Sequence, residues 1–142
     1  MIDYIRTIEG IDWDELSQLY LIAPLGNKKP EDLKIVFSNS MFACFAFESG
    51  RLVGADRALA DGIDCAYIAD MAVHPDYQGT GIGTAIPTDL VTRARRHRKI
   101  ILYAAPGKEP FYRRLGFKRM TTAMAIFENQ ANAVERGLVH ET

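Results

Sequence analysis

Apolar residues recur with two different periods along this chain, and the switches between them outline the elements. Residues 2–8 alternate like a first strand. Asp12 then stands as an N-cap, with Glu15 three residues later in a capping-box arrangement. Trp13, Leu16, Leu19 and Tyr20 follow at helical spacing, and Pro24 and Gly26 end that helix. Pro30-Glu31-Asp32 opens a second short helix, with proline and acids in its first turn. Residues 41–47 and 51–60 form a strand pair around Glu48-Ser49-Gly50, and 64–73 form a longer strand. Strict alternation there puts Cys65, Tyr67, Met71 and Val73 on one face. It puts Asp64, Ile68, Asp70 and Ala72 on the other. A glycine loop and a helix to about Arg98 come next. Ile100-Ile101-Leu102-Tyr103-Ala104 is a buried strand, 108–115 a short helix ended by Gly116, and two strand-like runs lie within 117–128. The predicted order is β-α-α-β-β-β-α-β-α-β, an α/β (α+β) domain with a mixed sheet.

Composition narrows the class. The chain has 142 residues, 48% of them hydrophobic, which suits one domain over residues 1–142 with one core. No apolar run reaches bilayer length, and Met1-Ile2-Asp3-Tyr4-Ile5-Arg6 lacks a secretory layout, so a cytoplasmic protein without membrane contact is the expectation. Cys44 and Cys65 read as reduced thiols in apolar strands. No Cys/His spacing predicts a metal site. Net charge is −1, but residues 1–71 carry 6 basic and 12 acidic side chains, and residues 72–142 carry 11 and 6. This split reads in two ways. It describes two solvated surfaces, or a basic half for a polyanionic ligand and an acidic half for a cationic substrate. The run Arg93-Ala94-Arg95-Arg96-His97-Arg98-Lys99 suits a helix C-terminus, and with no interleaved aromatic it predicts no nucleic-acid partner.

The stretch most suggestive of chemistry is Met71-Ala72-Val73-His74-Pro75-Asp76-Tyr77-Gln78-Gly79-Thr80-Gly81-Ile82-Gly83-Thr84. A strand enters a proline turn, then a glycine loop, then a helix. Backbone N–H groups at such a helix start form a cradle for phosphate or pyrophosphate. Thr84 and Ala85 stand where a P-loop needs lysine and Ser/Thr, so NTP hydrolysis is not expected. Gly79-x-Gly81-x-Gly83 also misses the dinucleotide spacing, and the next strand ends in Ala104-Ala105-Pro106 rather than an acid.

Val73-His74-Pro75-x-Tyr77-Gln78-Gly79-x-Gly81-Ile82-Gly83 and, downstream, Phe111-Tyr112-Arg113-Arg114-Leu115-Gly116-Phe117 together resemble the GCN5-related N-acetyltransferase family. The first fits that family's Q/R-x-x-G-x-G/A motif and the second its F-Y-x-x-x-G-F signature. The resemblance implies a mostly antiparallel mixed sheet whose central parallel strands splay apart, with flanking helices. It implies acetyl-CoA as acyl donor. Gln78, Gly79, Thr80, Gly81, Ile82, Gly83 and Thr84 would face the pyrophosphate. Met71, Ala72 and Val73 would line the pantetheine arm, together with Phe111 and Tyr112. The Val73 N–H would serve the thioester carbonyl. Tyr112 sits where the family places its general acid.

Asp70, one residue before Met71, is the candidate base or substrate contact, with Asp61, Asp64 and Glu48 behind it. Ala105 and Lys108 replace an Asn and a small residue common in the family. Pro87 breaks the helix pattern without a functional reading. The expected reaction is transfer to a primary amine of a small molecule by direct attack in a ternary complex. The acidic N-terminal half favours a cationic amine. An amino-acid, peptide or protein acceptor, and a silent acyl-CoA-binding sensor, are the alternatives. Relatives that pair through late strands make a homodimer a further expectation.

Overall fold

A computed structural model describes residues 1–142. Its chain divides into two compact units, Met1–Leu102 and Tyr103–Thr142.

The first unit holds a five-stranded sheet in the order β1-β2-β3-β4-β5. The strands are β1 (Ile2–Ile5), β2 (Phe42–Glu48), β3 (Arg51–Ala60), β4 (Cys65–Val73) and β5 (Lys99–Ile101). All neighbours pair antiparallel except β4 and β5, which are parallel. Two helices, α1 (Trp13–Ile22) and α2 (Pro30–Ser38), cover one face. Asp12 caps α1 by accepting from the backbone N–H of Asp14 and Glu15. Glu15 does not close the expected capping box. It accepts instead from the Leu52 N–H on β3 and ties the helix to the sheet. Leu16, Leu19, Tyr20, Leu33 and Phe37 bury their apolar faces against Phe45, Leu52, Ala55 and Ala72. This contact layer is the unit's main hydrophobic store.

The opposite face carries α3 (Ile82–Ala94). Ile82, Ile86, Leu90 and Ala94 repeat at helical spacing and are buried. Gly54 on β3 lets α3 come close, since a Cβ there would lie 2.6 Å from Ile86 Cδ1.

One irregularity in β4 changes the expected faces. Ala55 pairs with Ala72 but Arg57 pairs with Ala69, so Asp70 and Met71 together oppose Asp56. This is a β-bulge, and Asp70 holds a left-handed φ of 63° within it. The extra residue flips the parity of the strand. Cys65 and Tyr67 therefore share the α1/α2 face with Ala72, while Val73 shares the α3 face with Ile68. Uninterrupted alternation had grouped them the other way.

The second unit contains α4 (Glu109–Arg114) and α5 (Gln130–Glu135). Asn129 caps α5 through the Asn132 N–H, a start signal that the sequence reading missed. No strand forms within 117–128, where two were expected. The largest aliphatic side chains there are exposed, Met124 at 97% and Ile126 at 94%. A strand needs a ladder partner and a face to bury. Cys44 is buried and Cys65 half-buried, both as free thiols, and burial pushes the Cys44 thiol up to about 12.

Candidate active site

Strand β5 pairs with only the first part of β4, through Cys65, Ala66 and Tyr67. Past Tyr67, β4 has no ladder partner on the β5 side. The direction of the backbone along the open part follows from one hydrogen bond. The His74 N–H donates to the Val53 carbonyl at 2.8 Å. In an antiparallel ladder, hydrogen-bonded and non-hydrogen-bonded pairs alternate. The pair Gly54–Val73 is therefore non-hydrogen-bonded. The Val73 N–H and carbonyl point away from β3, toward the opened edge. Gln78 supports this direction, its Nε2 lying 3.5 Å from the Val73 carbonyl.

The glycine loop joins this edge to α3. Pro75–Tyr77 form a single 3₁₀ turn after His74, whose Nδ1 accepts from the Asp76 N–H. Thr80 Oγ1 donates back to the Tyr77 carbonyl and tightens the turn. Gly79 and Gly81 then adopt φ of 81° and 95°, where a side chain is strained. Gly81 is the N-cap of α3, and no side chain caps that end. Its first N–H groups and the helix dipole are thus left for an anion. Gly83 is an ordinary helical glycine, and a Cβ there would touch Val73 Cγ2 at 3.7 Å. The first unit so brings together Met71, Ala72, Val73 and the whole run from Gln78 to Thr84.

Phe111 and Tyr112 belong to the second unit. There Phe111 meets Tyr112 edge-on at 5.0 Å, and Tyr112 meets Phe117 at 6.0 Å. Gly116, at φ 102°, ends α4 and lets the Phe117 N–H return to the Tyr112 carbonyl. The Phe-Tyr-x-x-x-Gly-Phe spacing is thus one helical turn, a glycine stop and an aromatic that folds back.

The carboxylates named from sequence have different partners. Asp61 accepts from the N–H groups of Ile63, Asp64 and Cys65, and those bonds hold it down to about 2. Asp64 pairs with Lys99 at 2.6 Å. Glu48 accepts from the Tyr77 hydroxyl. Asp70 receives Arg57 Nε at 2.7 Å and lies 3.6 Å from Lys28 Nζ.

Arg57 and Lys28 were not singled out from sequence, and neither was Asp56. Asp56 is fully buried on the α3 face, and its Oδ2 has no hydrogen-bond partner. Burial pushes its carboxyl well above the usual carboxylate range. The available signal was Asp56-Arg57 itself, a charged pair inside the apolar run Leu52-Val53-Gly54-Ala55 and Ala58-Leu59-Ala60.

Comparison with known proteins places this geometry. The acetyltransferase (GNAT) domain family matches residues 26–129, a span that enters both units. The uncharacterized N-acetyltransferase ycf52 of Porphyra purpurea is 32% identical over 120 residues, covering 80% of this chain and 69% of the relative. Serotonin N-acetyltransferase 2, chloroplastic, of Oryza sativa is 31% identical, covering 79% of this chain and 59% of the relative. The GNAT-family acetyltransferase structure from Streptococcus pneumoniae superposes with a TM-score of 0.75 at 24% identity, covering 91% and 100% of the two chains. A predicted acetyltransferase of Clostridium acetobutylicum, solved with acetyl-CoA, superposes with a TM-score of 0.67 at 22% identity, covering 95% and 98%. The open β4 edge, the uncapped glycine-loop helix and the matching family together make this chain a member of the GCN5-related N-acetyltransferases, an acyltransferase.

Proposed function

We propose that residues 1–142 act as one acetyltransferase domain, moving acetyl from acetyl-CoA to a primary amine of a small molecule. One observation carries the donor half: the outward Val73 N–H lies on the same short segment as an uncapped helix start. That pairing suits a ligand with a pyrophosphate at one end and a carbonyl at the other. Gln78, Gly79, Thr80, Gly81, Ile82, Gly83 and Thr84 hold the pyrophosphate through N–H groups and the α3 dipole. Met71, Ala72 and Val73 bind the arm like an added strand, and Phe111 and Tyr112 are the cofactor-binding residues of the second unit.

Acetyl-CoA supplies an activated acetyl thioester. The Val73 N–H donates to the thioester oxygen as negative charge develops there. The Tyr112 hydroxyl gives a proton to the departing sulfur. The C–N bond forms as the C–S bond breaks, and the amine's surplus proton leaves to solvent or a carboxylate. Asp70 serves as a substrate-side contact, since both its oxygens already have cationic partners.

An acceptor amine is supported by the relatives' names, which include a serotonin N-acetyltransferase. That relative is also named chloroplastic, so the cytoplasmic default does not extend to it. No helix of this chain is long and apolar enough to cross a membrane. A homodimer belongs to the same reading.

Release of free CoA thiol across a panel of amines tests the proposal. Tyr112→Phe should lower kcat about a hundredfold while acetyl-CoA affinity stays within about twofold. Unchanged turnover would remove Tyr112 from the mechanism. Acetyl-CoA binding without turnover on any amine would remove the acetyl-transfer reading.

A further inference from the structure

The charge that matters to an arriving acceptor is the charge beside it. Screening cuts off more distant groups beyond about 8–10 Å at ordinary salt. The acidic excess of residues 1–71 is therefore a poor guide to the acceptor. At the β4 bulge the local balance is reversed.

Three charged side chains from three segments meet there, on the α1/α2 face. Arg57 comes from β3, Asp70 from the bulge, and Lys28 from the loop between α1 and α2. Arg57 Nε donates to Asp70 Oδ2 at 2.7 Å, and its Nη1 to Ser40 Oγ at 3.3 Å. Lys28 Nζ stands 3.6 Å from Asp70 Oδ1. Lys28 is held independently of that pair. Its carbonyl accepts from Ser17 Oγ, and its ammonium lies 5.6 Å over the Tyr20 ring. Tyr20 is itself anchored, donating from its hydroxyl to the Asp70 carbonyl at 2.6 Å.

One cation neutralises Asp70, and this cluster has two. The surplus positive charge falls on Lys28, whose side chain remains 30% exposed. Arg57, at 13%, sits deeper. Bracing the bulge would need Arg57 alone. A pinned, half-open lysine beside a mostly buried guanidinium is the charge arrangement that suits an anion. It lies three residues before the outward Val73 N–H, a span of about 10 Å of strand.

We propose that Lys28 and Arg57, set apart by Asp70, form a subsite for an anionic group on the acceptor. The amine that receives acetyl then carries a carboxylate or a phosphate. This rests on the acetyl-transfer reading and names its acceptor class. It departs from the cationic amine suggested by overall charge.

The test uses primary amines in matched pairs. Each carboxylate is paired with its amide, and each phosphate with its alcohol. Binding to the CoA-loaded protein is measured by calorimetry, with no acetyl group to transfer. The anionic member should bind about tenfold tighter. Lys28→Gln should cut that preference below about threefold, leaving the neutral members and acetyl-CoA affinity unchanged. Arg57→Lys, which keeps the charge but loses the fork, should reduce it in part. A preference confined to the carboxylate pairs, or to the phosphate pairs, supports the subsite and identifies the group. Equal affinities within pairs, or a preference that survives Lys28→Gln, overturns it. Turnover is scored separately. Failure of every amine to release CoA thiol sinks acetyl transfer, while the calorimetry still decides whether the anion subsite exists.

Discussion

Asp56 and Asp70 face each other across one bulge, yet the sheet gives them opposite surroundings. Asp56 points to the α3 side, fully buried, with one oxygen unpartnered and its carboxyl pushed well above the usual carboxylate range by burial. Asp70 points to the α1/α2 side, between two cations. The same residue type is buried without a charge partner on one face and ion-paired on the other. Burial without a partner disfavours the ionised form of Asp56 and raises its proton affinity. The two faces then divide the work. The α3 side leads to the glycine loop, where the uncapped helix start supplies positive potential. The α1/α2 side carries the Lys28–Asp70–Arg57 cluster on which the proposed acceptor subsite rests.

The largest effect should come from breaking the donor side alone. Gly81→Val forces a β-branched residue into φ 95° at the start of α3. That conformation is a strong outlier for such a side chain. Acetyl-CoA affinity should fall at least about a hundredfold, because the N–H groups at the helix start must turn away. No atom lies within 4 Å of the Cβ position, so the added bulk meets no packed neighbour and circular dichroism should remain that of a folded domain. Retained affinity would mean that the cradle is not the phosphate site. Global unfolding would mean that the two faces are not separable devices.

Asp70→Ala should come next, read as stability. It loses the Arg57 ion pair and puts an ordinary residue at φ 63°. Arg57 is mostly buried, but Asp70 is 23% exposed, so the pair is discounted for screening. The sum is about 2–3 kcal/mol in denaturant unfolding. Asp70→Asn sharpens the comparison, since asparagine tolerates the left-handed region. It should cost about 1 kcal/mol less than alanine. Equal losses would show that charge alone, and not backbone shape, is what Asp70 provides.

How much of this was legible beforehand depends on which physics was local. The glycine loop could be read because positive φ and an open helix start are demanded by Gly79 and Gly81 themselves. The caps at Asp12 and the proline start of α2 were local in the same sense. The bulge was not, because nothing in Ala69-Asp70-Met71 announces a two-against-one pairing. Every face assignment downstream of it was therefore inverted. The expected strands in 117–128 failed for a related reason, since apolar alternation describes a surface and not the partner that would bury it. The cluster at Asp70 joins residues 28, 57 and 70, brought together by sheet register and one loop, and no spacing rule reaches across such gaps.

The smallest effect separates the two carboxyls by pH. Asp56 has a folded-state proton affinity raised above that of the unfolded chain, mainly by burial. Well below pH 4, both states hold the proton and the carboxyl costs nothing extra. As pH rises above the ordinary carboxylate range, the unfolded chain ionises while the folded protein keeps its proton. Stability therefore declines with pH until the folded carboxyl itself ionises. Asp56→Asn removes that slope. It keeps an Oδ1 for the Arg57 N–H, which Asp56 now accepts at 2.9 Å. The variant should match wild type or fall slightly below it at pH 4, because its amide also lacks a partner. By pH 8 it should be the more stable protein by at least about 1 kcal/mol, measured by denaturant unfolding at both pH values. A gap that stays constant from pH 4 to 8 would mean that Asp56 is ionised in the fold. The contrast with Asp70 would then collapse, because burial would no longer distinguish the two carboxyls.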